Sequence, residues 1–325
     1  MEVFSNIFQI QIPMLNNPFN FINSYLIKTN DGSALIDTGW NTRQSFHALQ
    51  QQMDEAGVSF SDLKFIIITH AHPDHYGLVK QLEKVTSATL IIHELEQKTL
   101  PPAGQDFSQV HQELLSWWQV NGVPDGEYAA LDKGLLSSLG MTRSEMKLKT
   151  VRGGEHLAIG DFILEILWTP GHTPGHVCLF NRSRGILFSG DHILEKITSN
   201  ISMVGLDYPN PLGDYLNSLA GMDSLPVRLT LPAHGKSFDH FQHRIKEIEF
   251  HHEQRAKEIF KLLNGDRNSA YTISSLATWY APWNKLTSFE KLLAVNETIA
   301  HLEMLASRGL VGKSAVNGHF LYSAS

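Results

Sequence analysis

The chain carries the run HAHPDH at residues 70–75, directly after the apolar segment LKFIIIT at residues 63–69. That segment is rich in β-branched residues, a composition that favours a strand buried on both faces. Most side chains of the run can bind a metal ion. Placing so many polar groups at the end of a buried strand is unfavourable unless a partner compensates them. The run therefore predicts a metal site built from imidazole and carboxylate groups.

Two later apolar segments end in the same way. GILFSGD at residues 185–191 delivers Asp191, and LTLPAHG at residues 229–235 delivers His234. Because several predicted strands end in a His or an Asp, we expect one site assembled from the ends of different strands of an α/β protein. Further strands are predicted at residues 21–28, 33–36, 89–93, 155–159 and 162–168, and a helix at residues 43–56.

Residues 96–146 do not continue this series of predicted strands. Their apolar residues have helical spacing, which predicts a helical insertion. Apolar residues, including Trp117 and Trp118, recur at helical spacing over residues 107–120. Two further helical pieces are predicted near residues 128–139 and 142–147. One interpretation is an insertion that packs its apolar face on the body of the protein. The other is a lid that shapes a substrate pocket, since insertions with their own structure often carry function.

The sequence from residue 241 onward predicts a second, helical domain after a catalytic domain at residues 1–240. Helices are predicted at residues 245–263, 272–279 and 288–306, followed by a hairpin whose Asn317-Gly318 turn is of type I′. Helices followed by a hairpin indicate a winged-helix-like module. Its 10 Lys and Arg against 8 Asp and Glu give no basic face, so we expect packing or homodimerisation rather than nucleic-acid binding.

Composition narrows the class of protein. The 325 residues are 42% hydrophobic and 18% charged, which is typical of a globular protein, and the formal net charge is −7. This charge disfavours partners such as nucleic acids and anionic membranes.

No apolar stretch approaches the ~18 residues that span a bilayer, and residues 1–6 lack the basic start of a secretion signal, so a cytoplasmic protein is expected. The single cysteine, Cys178, excludes an intramolecular disulfide and is expected to be a small buried hydrophobe.

Five motifs in order resemble the metallo-β-lactamase superfamily over about residues 1–240. They are LIDTG at 35–39, HAHPDH at 70–75, TPGHT at 169–173, SGD at 189–191 and LPAHG at 231–235. The resemblance implies a four-layer αββα sandwich, here with a helical insertion and a winged-helix-like C-terminal domain. The repeated TPGH of residues 169–176 is similar to glyoxalase II and its thioesterase relatives, although the tail lacks their basic glutathione-binding set. The tail is similar to that of the lactamase-like endoribonucleases, without an inserted β-CASP domain.

The family also implies a role for each matching residue. Asp191 would bridge two divalent metal ions, and Asp37 would orient ligands by hydrogen bonds. His176 and His192 lie close in sequence to the proposed ligands, and we expect them to orient ligands in the same way or to line the pocket; the alternative is that they are only neighbours in the sequence. Zinc suits this sulfur-free donor set, and iron and manganese also accept it. The first ion would be held by His70, His72 and His172, and the second by Asp74, His75 and His234.

The expected reaction is hydrolysis of a small acyl substrate. A metal-bound hydroxide would attack an ester, thioester or lactone carbonyl, and Asp74 would pass a proton to the leaving group. The main alternative is a metal-dependent endoribonuclease or phosphodiesterase. An iron oxygenase such as a persulfide dioxygenase and a non-enzymatic ligand sensor are two further alternatives. β-Lactamase activity is less expected, since many of those enzymes have Cys or Ser where this chain has Asp191.

Overall fold

The computed structural model describes residues 1–14, 20–102, 105, 108–128, 141–263 and 267–325. The described residues group into two compact units, each formed by three stretches of chain. The first unit comprises residues 1–105, 139–199 and 222–244, and the second comprises residues 106–138, 200–221 and 245–325. The division into domains 1–240 and 241–325 stays a prediction.

A mixed sheet forms one half of the first unit. Its strands β1 to β7 are neighbours in chain order, antiparallel up to β4 and parallel from β4 to β7. Ile67 of β5 pairs with Ile36 of β4 and with Ile91 of β6. This register aligns the carboxyl ends of these strands at one edge, so the residues that follow them are close together. The strands are β1 Glu2–Phe4, β2 Ile7–Pro13, β3 Phe21–Ile27, β4 Ser33–Ile36, β5 Leu63–Ile67, β6 Thr89–His93 and β7 Leu148–Val151.

A second sheet completes the first unit. Its strand order is β12-β11-β10-β9-β8, and only the β11–β12 pair is parallel among the described strands of this sheet. The backbone N–H of Val177 donates to the carbonyl of Thr69 (2.9 Å), which joins the start of β10 to the loop after β5. The strands are β8 His156–Ile159, β9 Phe162–Trp168, β10 Val177–Asn181, β11 Ile186–Gly190 and β12 Leu229–Pro232.

Apolar side chains fill both faces of the first sheet. One buried cluster joins Ile36 and Ile67 of the first sheet to Leu164 and Phe188 of the second, so the two sheets pack face to face. A separate cluster covers the other face and includes Leu49 of the Arg43–Glu55 helix. Burial of apolar side chains on this scale is the main favourable contribution to folding. The prediction of an α/β protein with packed sheets is therefore confirmed.

Helices account for much of the remaining described chain. In the first unit they include Arg43–Glu55, Pro73–Tyr76, Val79–Leu82 and Glu94–Thr99. Pro211–Met222 and Phe241–Leu262 lie mostly in the second unit, which also contains Ser108–Val120, Asp125–Tyr128, Ala270–Leu276, Ser288–Ser307 and the strands β13 Val311–Val316 and β14 His319–Ala324. No helix in the described ranges is both long and apolar enough to cross a membrane.

The C-terminal hairpin confirms its sequence prediction. Strands β13 and β14 are antiparallel, and the turn residues Asn317 and Gly318 have φ values of 49° and 80°, as a type I′ turn requires.

Cys178 is fully buried, and burial raises its thiol pKa to about 12. Its predicted role as a buried hydrophobe is therefore confirmed. The winged-helix-like assignment of the tail and the role of the insertion stay predictions.

One predicted helix is wrong. Residues 142–147 are not helical, because their polar groups bond to the neighbouring helices instead: the backbone N–H of Ser144 donates to the Tyr76 hydroxyl (3.0 Å), and that of Glu145 donates to the Glu83 carboxylate (3.1 Å). The helix predicted at 107–120 is present as Ser108–Val120. Most of the helix predicted near 128–139 lies outside the described residues.

Candidate metal centre

The strand ends of the first unit bring the predicted site residues together. Asp37 follows β4, the 70–75 run follows β5, and Asp191 follows β11. His172 lies in the loop between β9 and β10, and His234 lies two residues after β12. Except for Asp37, the His and Asp side chains among them form overlapping groups of three, and the potential ligand atoms of each group lie within 4.8 Å of one another.

His70, His72 and His172 form the first group, which we call the first triad. His70 Nε2 lies 2.9 Å from His72 Nδ1 and 3.2 Å from His172 Nε2, and the other two nitrogen atoms are 3.1 Å apart. A cation with tetrahedral bonds of ~2.0–2.1 Å to nitrogen holds its ligand atoms about 3.3 Å apart. The three nitrogen atoms therefore have the spacing that one bound cation requires.

Asp74, His75 and His234 form the second triad. His234 Nε2 lies 3.3 Å from Asp74 Oδ2, and His75 Nε2 lies 3.8 Å from the same oxygen atom. His75 is fully buried, and its Nε2 atom has no hydrogen-bond partner within the described part of the chain. An unpaired nitrogen of this kind is unfavourable in a protein interior, and a bound cation would satisfy it.

Asp191 lies between the two triads. Its Oδ1 atom is 3.5 Å from His75 Nε2 and 3.5 Å from His234 Nε2, both in the second triad. Its Oδ2 atom is 3.7 Å from His172 Nε2 in the first triad. Asp191 thus offers one carboxylate oxygen to each triad.

Asp37 fixes the orientation of His75. The His75 Nδ1–H donates to Asp37 Oδ2 (2.8 Å), which leaves Nε2 facing Asp74 and Asp191. Asp37 also accepts from the backbone N–H (2.9 Å) and the hydroxyl of Thr69. Its φ of 58° lies in the left-handed region, which residues other than glycine, asparagine and aspartate seldom occupy.

Thr69 and Ser199 hold two further histidines, and the sequence analysis missed both. The Thr69 hydroxyl lies 3.1 Å from His70 Nδ1, and the Ser199 hydroxyl lies 3.0 Å from His172 Nδ1. Where such a hydroxyl accepts from Nδ1–H, the lone pair of the ring lies on Nε2. Thr69 directly precedes the 70–75 run, so its position was a usable signal. Ser199 gives no such signal, because it is distant from His172 in sequence.

His176 and His192 are both fully buried near these groups. His176 Nε2 accepts from the backbone N–H of Asp191 (3.2 Å), while its Nδ1 lies 2.9 Å from the Thr169 hydroxyl. Gly190 permits this contact, because a Cβ atom there would lie 2.7 Å from His176 Nε2. The His192 ring lies 5.7 Å from that of His176. The roles predicted for both residues stay predictions.

Burial and nearby charges shift the pKa values of histidines in the two triads in opposite directions. Burial lowers the pKa of His70 well below its ordinary value, and burial together with His172 lowers that of His72 to about 3. Both residues are thus neutral at neutral pH, the form that binds a cation. Burial also opposes charge on His75, but Asp37, Asp191 and Asp74 outweigh it and raise the His75 pKa well above its ordinary value. The carboxylates create a negative potential that favours a positive charge at this place.

The site therefore fits bound divalent cations, as the sequence predicts. Its donors are imidazole and carboxylate groups, which suit zinc and also accept iron and manganese. Two observations support the fit: three ring nitrogen atoms converge in the first triad, and a buried nitrogen atom of His75 faces two carboxylates.

Comparison with known proteins agrees with the fold. The model of the metallo-beta-lactamase superfamily matches residues 17–234. The probable metallo-hydrolase YqjP of Bacillus subtilis is 28% identical over 291 residues, covering 86% of this chain and 86% of that protein. A metallo-beta-lactamase family protein from Thermus thermophilus has a TM-score of 0.83 at 27% identity, and the match covers 100% of both chains.

A beta-lactamase domain protein from Burkholderia ambifaria shares the same fold. Its TM-score is 0.84 at 24% identity, over 100% of this chain and 94% of that chain. The fold and the metal-binding groups define a metallo-β-lactamase-fold protein. The family match spans more than half of the sequence, and this chain belongs to the metallo-β-lactamase superfamily, whose members are metal-dependent hydrolases.

Proposed function

We propose that this chain is a dinuclear metal-dependent hydrolase that cleaves an ester, thioester or lactone bond in a small acyl substrate. The observation that carries the proposal is the position of Asp191, whose two carboxylate oxygen atoms face different triads. When bound, two divalent cations supply a water of pKa about 7 as nucleophile and polarise the substrate carbonyl.

The protein's own groups orient the reacting atoms. Asp37 holds His75, and Thr69 holds His70, so neither ring rotates freely about its Cβ–Cγ bond. Such prepositioned groups lower the barrier because little reorganisation is needed during the reaction. The Asp74 carboxylate is half-buried and lies 3.3 Å from His234 Nε2 within the second triad. We expect it to accept a proton from water and pass it to the leaving group.

Charge and sequence support a small acyl substrate. The chain has a formal net charge of −7. A net negative charge disfavours association with a polyanion such as RNA. The TPGHTPGH run of residues 169–176 is the motif that is similar to thioesterases.

A metal-dependent endoribonuclease is the second candidate, and the C-terminal hairpin favours it. Strands β13 and β14 follow the Ser288–Ser307 helix, as the winged-helix-like interpretation requires. This candidate predicts cleavage of single-stranded RNA that weakens steeply as salt increases. The first candidate predicts acyl hydrolysis and no RNA cleavage.

The test joins elemental analysis to a substrate panel. Purified protein is assayed with a p-nitrophenyl ester, an acyl thioester, a lactone and single-stranded RNA, with and without zinc. We expect about two metal ions per chain and metal-dependent turnover of at least one acyl substrate. Asp191→Ala and His72→Ala should lose metal and at least about 100-fold in activity, whereas His47→Ala, at an exposed position in a helix, should lose neither. Full activity and unchanged metal content in Asp191→Ala would contradict the proposal.

A further inference from the structure

Glu96 is a buried carboxylate that has no part in the proposed reaction. It lies in the Glu94–Thr99 helix, directly after β6, and only 2% of its surface is exposed. Burying an ionised carboxylate is unfavourable unless hydrogen bonds compensate it. The partners of Glu96 therefore indicate what the side chain does.

Both partners lie in loops that carry donors of the first triad. Glu96 Oε2 accepts from the backbone N–H of Ala71 (2.7 Å), which stands between His70 and His72. Glu96 Oε1 accepts from the backbone N–H of Gly175 (2.7 Å), three residues after His172. One carboxylate thus joins the two loops that supply all three nitrogen atoms of the first triad. Hydrogen bonds to an ionised acceptor are short and roughly twice as strong as neutral ones.

The surroundings of Glu96 allow little movement. A Cβ atom at Gly175 would lie 2.8 Å from Glu96 Cγ and 2.8 Å from His93 Nδ1, so only glycine permits this approach. His93 Nδ1 accepts from the backbone N–H of Leu95 (3.2 Å) and so caps the short helix. The Trp168 indole stacks on His93 and donates to the Pro174 carbonyl (2.9 Å), which holds the same loop from a second side.

We propose that Glu96 is a positioning residue that sets the spacing of the two loops to that required by the first metal ion. This proposal rests on the proposed metal-dependent function. Without the carboxylate, His172 would keep its bond to Ser199, and His70 would keep its bond to Thr69. The loops would, however, no longer be joined to each other through Glu96, and part of the metal-binding energy would be lost in bringing them together.

Glu96→Gln tests this role with a side chain of nearly the same shape. An amide has a single acceptor oxygen, so one backbone N–H would face an NH₂ group instead of an acceptor. Zinc affinity is measured for full-length protein by competition with a chromophoric chelator, which resolves the two dissociation constants. We expect one constant to weaken about tenfold or more, as for other residues that support metal ligands, and the other to stay within about twofold of wild type.

Glu83→Gln is the matched control. The Glu83 carboxylate also joins two segments of the first unit, accepting from the Ser144 hydroxyl (2.8 Å) and the backbone N–H of Glu145 (3.1 Å). A purely structural effect should lower the unfolding temperature of both variants. Weakened zinc binding should appear only in Glu96→Gln, and Glu96→Asp, which keeps the charge on a shorter side chain, should recover part of it.

The outcomes separate this proposal from the proposed function. Two wild-type-like zinc constants in a folded Glu96→Gln protein would overturn the role of Glu96 and leave the hydrolase proposal standing. Equal weakening of both constants, or failure of both Glu96→Gln and Glu96→Asp to fold, would also overturn it, since Glu96 would then support the unit as a whole. Wild-type protein that binds no zinc would instead contradict the proposed function.

Discussion

Single hydrogen bonds on the outer nitrogen atoms of histidines determine how the metal centre presents its lone pairs. Asp37 binds His75, Thr69 binds His70 and Ser199 binds His172, each through Nδ1. Each ring therefore directs Nε2 inward. Asp37, Thr69 and Ser199 thus orient the candidate ligands by hydrogen bonds and are not themselves candidate ligands.

Asp37→Asn should weaken metal binding without disturbing the backbone. Asparagine tolerates the left-handed conformation that Asp37 adopts with a φ of 58°. Its single oxygen cannot accept from both His75 Nδ1 and the Thr69 N–H, which lie on different carboxylate oxygen atoms. We expect zinc affinity to fall by about 10–100-fold, measured by chelator competition.

The control for this prediction is Asp31→Asn, which changes an exposed aspartate in a turn of the same unit. This variant should bind zinc as wild type does. Wild-type zinc affinity in Asp37→Asn would show that the Asp37–His75 hydrogen bond does not support the metal centre.

The sequence predicted the candidate ligands far better than it predicted their supports. His70, Asp74 and their neighbours stand out because metal-binding residues cluster after an apolar strand. Ser199 and Glu96 are common residue types, and no recognisable motif surrounds them in the sequence. Only folding brings Ser199 to His172 and Glu96 to Ala71. Long-range contacts of this kind leave no local pattern from which they could be predicted.

Among the helices and strands, the residues at their ends explain which predicted bounds agree with the structure. Strands β4 and β9 have their predicted bounds because a turn that contains glycine precedes each apolar run. The Glu94–Thr99 helix was missed because it is short and is capped by His93, which is not a usual capping residue. Residues 142–147 contain good helix formers, but tertiary hydrogen bonds override such weak preferences.

The Ser288–Ser307 helix contains a carboxyl group that should make stability depend on pH. Burial raises the pKa of Glu297 to about 7, although the Arg255 guanidinium 3.8 Å away opposes the shift. The folded chain then binds more protons than the unfolded chain between about pH 4.5 and pH 7, so stability falls as pH rises through this range. Above pH 7 this contribution stays constant.

Glu297→Gln mimics the protonated carboxyl and should remove this loss. The variant should match wild type near pH 4.5 and be more stable at pH 8 by about 3 kcal/mol, measured as the free energy of unfolding across this range. Glu253→Gln serves as the control, because Glu253 is exposed and paired with Lys257 (2.6 Å). A difference between Glu297→Gln and wild type that does not grow with pH would contradict the assignment.

At the scale of the whole molecule, all the candidate ligands belong to one of the two compact units. His70, His172, Asp191 and His234 come from distant parts of the sequence, yet each lies in the first unit. Metal ions that bind only the folded state stabilise it, by about 2.7 kcal/mol at a free concentration of 100 times the dissociation constant. That stabilisation should be confined to the unit that contains the ligands.

Hydrogen exchange of the full chain with zinc or with a chelator would test this expectation. We expect zinc to slow amide exchange at residues 69–77, 169–176 and 189–192, because binding holds these loops in the folded arrangement. Exchange in the Ser288–Ser307 helix of the second unit should not change. Asp191→Ala should lose most of the protection, since it removes the carboxylate that faces both triads. Equal protection of both units, or protection retained in Asp191→Ala, would show that zinc binds elsewhere.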